Sequence, residues 1–139
     1  MRVTIDWQEA VRLLGISGEG HEVVMDGPPD LGGAGGGPRP MEMVLLGLGG
    51  CSAVDVVHIL ERGRRTVRQC RVTIDAERAE TDPKVFTRIH MHFTIAAPGA
   101  PAAVVERAVD LSAGKYCSVA RMLASTAEIS HSVELAPDG

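Results

Sequence analysis

Aromatic side chains are nearly missing from this chain. Its 139 residues include one Trp, one Tyr and two Phe (Trp7, Tyr116, Phe86 and Phe93), so any core has to be assembled from Val, Leu, Ile, Ala and Met. A concentrated basic surface is also lacking. Lys and Arg number 14 against 18 Asp and Glu, a formal charge of −4, which argues against a nucleic-acid partner because that interaction needs clustered positive charge. Arg62, Arg64, Arg65, Arg68 and Arg71 do gather, but Asp75, Glu77 and Glu80 follow at once. The run reads as a solvated helix end and a strand face. No basic, apolar leader opens the chain, and the apolar run from Met43 to Val54 covers only 12 positions, short of a bilayer span. Neither secretion nor a membrane is expected. Cysteine is limited to Cys51, Cys70 and Cys117. Three thiols without a leader point to the reducing cytoplasm, where a disulfide is transient and catalytic, not structural.

What is present suits a single domain, residues 1–139, with one core. MRVTIDW and HEVVMDG pattern as short strands, the second ending at an Asp-Gly turn signal. Between them EAVRLLGISGEG leans to strand, because glycines break it. GPPDLGGAGGGPRP, residues 27–40, keeps no apolar period and is expected to be a mobile, glycine-flexible loop. Pro40 suits the first turn of a helix, and a helical pattern runs from Met41 to Arg62 with Gly63 as its stop. This helix is apolar nearly all round from Met43 to Leu60, so it should be surrounded by protein. A domain this small cannot easily do that, whereas a dimer can. VRQCRVTIDAE places Cys70, Val72 and Ile74 on one strand face. VFTRIHMHFTI turns Val85, Ile89, Met91, Phe93 and Ile95 inward and Arg88, His90 and His92 outward, with TDPK as the turn of a hairpin. PAAVVERAVDLSA follows as a helix with Val104, Val105, Ala108 and Leu111 as its stripe and Gly114 as its end. CSVARMLAST reads as a short third helix and SHSVEL as a final strand.

The stretch GLGGCSAVDV, residues 47–56, is the least economical in the chain. Each glycine inside a helix costs about 1 kcal/mol against alanine, and Gly47, Gly49 and Gly50 all precede Cys51. Bare backbone lets another chain or a substrate approach and leaves the thiol uncrowded. Cys70, alternating with Val72 and Ile74, reads as plain core. Cys117 follows a glycine-terminated helix and precedes an apolar run, which puts it at a helix N-terminus where the dipole lowers a thiol pKa. Lys115 and Arg121 lie close by in sequence. Cys51 and Cys117, 66 residues apart, have the pattern of a reactive and a resolving thiol, provided the fold brings their Cα atoms within about 4.4–6.8 Å. Packing alone is the other reading of each.

Asp55 and His58 follow Cys51 at i+4 and i+7, on nearly the same helix stripe. They read either as a base and an orienting carboxylate for the thiol or as the polar seam of a buried helix. His90 and His92 share a strand face but have no Cys or carboxylate at zinc-site spacing, so that pair reads as a solvated face. No metal and no organic cofactor is expected.

Three stretches carry a family resemblance: PRPMEMVLLGLGGCSAVDVVHILERGR, ERAETDPKVFTRIHMHF and AVDLSAGKYCSVARML. They resemble the OsmC/Ohr family (osmotically induced protein C and organic hydroperoxide resistance), and GHEVVMDG fits its YhfA-like branch. The likeness covers nearly the whole chain. It implies an α+β fold, an intertwined homodimer whose long cysteine-bearing helices lie buried between antiparallel sheets of both subunits. It also implies a thiol-dependent peroxidase for organic hydroperoxides, with Cys51 attacking, Cys117 resolving, and an external dithiol, possibly a lipoyl group, as reductant. In the family a glutamate ten residues before the first cysteine pairs with an arginine from the N-terminal region. Here position 41 is Met, and the nearest acid is Glu42, nine residues before Cys51. Nine helical residues turn through about 900°, which sets Glu42 opposite Cys51 on an unbroken helix. Arg12 and Arg39 are the candidate arginines, and Asp55 is the next acid to consider. Two non-enzymatic readings stand beside the peroxidase: a dimer that binds a small apolar ligand at its interface, and an interaction module whose buried helix only dimerises.

Overall fold

The computed structural model describes residues 1–137. The chain divides into two compact units, Met1–Leu46 and Gly47–Gly139, with the boundary inside the long helix.

In the N-terminal unit, β1 (Thr4–Glu9), β2 (Arg12–Ile16) and β3 (Glu22–Met25) form an antiparallel sheet in that order. Alternation puts Ile5 and Trp7 on one face of the first strand, and both are largely exposed, as is Val3 just before it. The glycine-rich segment after β3 is organised, contrary to the mobile loop expected from its composition. Asp26, buried, accepts backbone N–H groups from Gly27 at 2.8 Å and from Ala34 and Gly36 at 3.0 Å. A side chain at Gly33 or Gly37 would collide with the carbonyls of Gly27 and Val24. Gly33 and Gly37 serve close backbone packing, not flexibility.

Helix α1 (Pro40–Arg62) starts and ends on identifiable chemistry. Pro40 stands at its first position, and the Glu42 carboxylate reaches back to the Arg39 N–H at 3.0 Å, half of a capping box. At the other end the left-handed residue is Arg64 (φ 62°), not Gly63. The Arg65 N–H closes the helix on the Leu60 carbonyl at 2.9 Å. The whole helix has 23 residues, and an 18-residue window has mean hydropathy 1.9, so the 12-position run underestimated it. By length and composition it reaches bilayer scale. One stripe, Leu48, Ser52, Val56 and Leu60, is nonetheless buried in the C-terminal unit's own core.

That core is closed by a mixed sheet. β4 (Gln69–Arg78) and β5 (Phe86–Ala96) form the expected antiparallel hairpin, while β6 (Glu128–Leu135) lies parallel to β5. Parallel pairing needs a long crossover, here α2 (Ala102–Leu111) and α3 (Ser118–Leu123). Ile89, Met91, Phe93 and Ile95 of β5 are buried together with Leu48, Val56 and Leu60 of α1 and Val105, Ala108 and Val109 of α2. Two expectations are corrected. Val85 is exposed and Phe86 buried, because a register shift at Glu77/Arg78 leaves Thr87 as an extra residue and breaks the alternation. Gly114 does not end α2. The chain widens there into one π-helical turn, Ser112–Tyr116, and the Cys117 N–H donates to the Ser112 carbonyl at 2.9 Å. Such wide turns often sit at functional sites.

Candidate active site

The π turn and the start of α3 bring Cys117 against the middle of α1. The sulfurs of Cys51 and Cys117 and a carboxylate oxygen of Asp55 all lie within 4.8 Å of one another. Both thiols are free, Cys51 half-buried and Cys117 buried completely. Cys117 is the N-cap of α3, its sulfur accepting the Ala120 N–H at 3.4 Å. Its thiol is nevertheless pushed above the ordinary thiol range, not below it as a helix start implies. Burial is the larger cause and the neighbouring Cys51 adds to it, outweighing the Ser52 and Ala120 hydrogen bonds that pull the other way. The short α3 offers too little dipole to compensate.

Two serines complete the cluster, and sequence reasoning missed both. The Ser52 hydroxyl donates towards Cys117 Sγ at 3.2 Å and also has Met91 Sδ at 3.6 Å. The Ser112 hydroxyl donates to the Ser52 carbonyl at 3.0 Å, with Asp55 Oδ2 at 3.4 Å. Both serines are fully buried. The available signal was a hydroxyl inside an otherwise apolar run, which costs free energy unless it is bonded.

The other candidates fall elsewhere. Cys70 is half-buried on β4, with its thiol raised by burial, and borders a surface groove with Val54, Val57 and His58. His58 lines a second groove of about 550 Å³ with Asp55, Ile59, Arg62, Leu111 and Tyr116, so it neighbours the carboxylate without joining the thiol cluster. Arg12 begins β2 in the N-terminal unit, where its charge helps to hold Asp26 ionised. Arg39 and Glu42 are engaged with each other at the start of α1. The glycines before Cys51 separate into two kinds. A side chain on Gly49 would meet Ile74 at 3.2 Å, whereas Gly47 and Gly50 face open space.

Comparison with known proteins concerns the chain as a whole. Residues 33–132 match the family described as OsmC-like protein. The protein YhfA of Escherichia coli strain K12 is 47% identical over 135 residues, covering 97% of this chain and 98% of its own. Among solved structures, an OsmC-like protein from Mycoplasma pneumoniae superposes with TM-score 0.83 at 18% identity, covering 98% of this chain and 96% of its own. An organic hydroperoxide resistance protein OsmC from Legionella pneumophila gives TM-score 0.70 at 16% identity, covering 96% and 97%. A mixed fold of two small sheets and helices, together with the family match over most of the chain, defines an OsmC-type protein. The chain belongs to the OsmC family.

Proposed function

We propose that this chain is a cytoplasmic, thiol-dependent peroxidase that reduces organic hydroperoxides. The observation that carries the reading is the convergence of Cys51 and Cys117 to within 4.8 Å, from positions 66 residues apart, in the absence of a bond between them. Their unequal surroundings divide the roles. Cys51 is half-exposed beside glycines that face open space and takes the attacking part. Cys117 is buried and kept protonated, which suits a thiol that waits.

The Cys51 thiolate attacks the hydroperoxide O–O bond. One oxygen leaves as the alcohol after taking a proton, and the other stays on sulfur as a sulfenic acid. Cys117 then attacks that sulfur, forming the disulfide and releasing water. The Ser52 hydroxyl steadies the negative charge that Cys117 carries as it attacks, and Asp55 is placed to take its proton. A dithiol such as a dihydrolipoyl group restores both thiols by exchange.

The working unit is a homodimer. Leu46 and Val54 on α1 are more than half exposed in the single chain, and Gly47 and Gly50 meet nothing of their own subunit. A second subunit laid on this face buries it, and an apolar interface suits an alkyl hydroperoxide better than hydrogen peroxide. The test is stoichiometric. One equivalent of cumene hydroperoxide should remove two thiols per chain, and mass mapping should join Cys51 to Cys117. A disulfide that includes Cys70 would overturn the assignment. Unreactive thiols would favour the ligand-binding dimer, whose ligand the 550 Å³ groove at Asp55 would hold.

A further inference from the structure

We infer that Cys51, Cys117 and Asp55 form a binding site for one thiophilic divalent cation of the zinc type. Two thiols and a carboxylate converge within 4.8 Å, and among the described residues Asp55 is in no salt bridge. As thiolates and carboxylate they bring three negative charges together, an arrangement that a dication neutralises.

The geometry is close to what such an ion requires. With Zn–S near 2.3 Å and Zn–O near 2.0–2.2 Å, ligand atoms on one tetrahedral ion lie about 3.5–3.8 Å apart. From separations within 4.8 Å, small side-chain rotations close the cluster. The donor set, two sulfurs and one oxygen, is softer than calcium or magnesium sites use and excludes both. Outer partners are already in place. Ser52 and the Ala120 N–H donate to the Cys117 sulfur, and Ser112 reaches one carboxylate oxygen of Asp55. Hydrogen bonds of this kind orient metal ligands. Three protein ligands leave a fourth position open, and the groove that begins at Asp55 gives it access.

Binding releases the two thiol protons to solvent and involves no redox change. The bound ion then holds both thiolates out of reach of a hydroperoxide, so the cation regulates the same thiols. The site itself does not rest on the peroxidase reading, because binding is measured without peroxide.

The experiment titrates the fully reduced, metal-free protein with cobalt(II), followed by zinc. One cobalt per chain is expected, with thiolate-to-cobalt charge-transfer absorption that zinc abolishes. Asp55→Asn should keep the thiolate absorption while weakening affinity by at least about tenfold, a loss that even outer-shell changes can produce. Cys51→Ser and Cys117→Ser should each reduce the absorption, and serine at 117 can still cap α3. Cys70→Ser should match the wild type. Absence of charge-transfer absorption, its loss in Cys70→Ser, or equal affinity in Asp55→Asn would each overturn the assignment.

Discussion

Asp26 and Asp55 are both aspartates placed among close neighbours, yet their surroundings differ in kind. Asp26, in the N-terminal unit, accepts three backbone N–H groups, one on Oδ1 and two on Oδ2. Its pKa is held below the ordinary carboxylate value, chiefly by the Gly36 and Ala34 hydrogen bonds. Asp55, in the C-terminal unit, has one hydroxyl at 3.4 Å, and that hydroxyl is shared with the Ser52 carbonyl. Around the thiols, the single Ser52 proton likewise has two claimants, Cys117 and Met91. Where donors match acceptors the residue builds structure. Where acceptors outnumber donors, charge and reactivity are left available for chemistry.

The largest effects separate the two thiols of the undersupplied cluster. Cys51→Ser should reduce turnover of cumene hydroperoxide with a dithiol to background, since the nucleophile is gone. Cys117→Ser should complete one turnover and stop at a sulfenic acid, trapped by dimedone and over-oxidised by excess peroxide. If both variants consume peroxide like the wild type, the cluster is structural and the contrast with Asp26 disappears.

The next effect is on the fold, and it tests the comparison directly. Asp26→Asn should lower the melting temperature by several degrees, because an amide NH₂ must then face N–H donors that need an acceptor. Asp55→Asn should leave the melting temperature almost unchanged. The pH dependence has the same origin. A carboxylate whose folded pKa is depressed supports the fold above its unfolded value near 4, and that support is lost as pH falls through the folded pKa. Protection of the Gly27, Ala34 and Gly36 amides, measured against their intrinsic exchange rates, should therefore fall in acid before the C-terminal core opens. Equal melting temperatures for the two Asn variants would break the comparison.

Ser52→Ala acts on one step only. A hydrogen bond to a charged group contributes about 1.5–3 kcal/mol, so disulfide formation should slow by roughly ten- to a hundredfold. The first attack on peroxide should be untouched. Because Cys117 is held protonated, closure in the wild type should quicken as pH rises towards the thiol's raised pKa, and in Ser52→Ala the curve should move further to alkaline pH. Rapid-mixing fluorescence of the oxidised intermediate between neutral and alkaline pH reads both. A shift in the first step instead would make Ser52 part of the Cys51 environment.

The elements were largely legible in the chain, and the thiol environment only in part. Periodicity and proline marked α1 and α2, and alternation marked β4 and β5, because these signals are local. Three features depend on contacts that periodicity does not report. The Gly-rich segment looks flexible by composition, but the buried Asp26 just before it ties it down at Ala34 and Gly36. The π turn at Ser112–Tyr116 hides behind a glycine that resembles a helix stop. Burial of Cys117, which reverses the effect expected of a helix start, depends on α1 packing over it. Asp55 was legible as a position on the Cys51 stripe. Ser52 and Ser112 were not, since a serine shows its role only through its partners.

The smallest effect concerns a polar cluster on the other face of the same strand as Met91. His90 and His92 alternate with buried Ile89, Met91 and Phe93. They lie in one ladder across β5 and β6 instead of standing free in solvent. His90 Nδ1 meets Ser130 Oγ at 2.7 Å and its Nε2 meets Ser132 Oγ at 2.9 Å; His92 Nδ1 meets Ser132 Oγ at 2.7 Å and its Nε2 meets Glu134 Oε2 at 3.2 Å. With neutral rings one direction accounts for every proton. The Glu134 carboxylate only accepts, so His92 donates from Nε2 and takes the Ser132 proton on Nδ1. His90 then donates from Nε2 to Ser132 and accepts from Ser130. Both rings should therefore appear as the Nε2–H tautomer in imidazole nitrogen NMR at mildly alkaline pH. This cluster resembles Asp26 in being matched, donor for acceptor, but it is partly exposed, so its members contribute little. Glu134→Gln should change stability by no more than about 1 kcal/mol and peroxide turnover not at all. A mixed tautomer population, or a turnover defect in Glu134→Gln, would show that matching alone does not separate structural from chemical clusters in this protein.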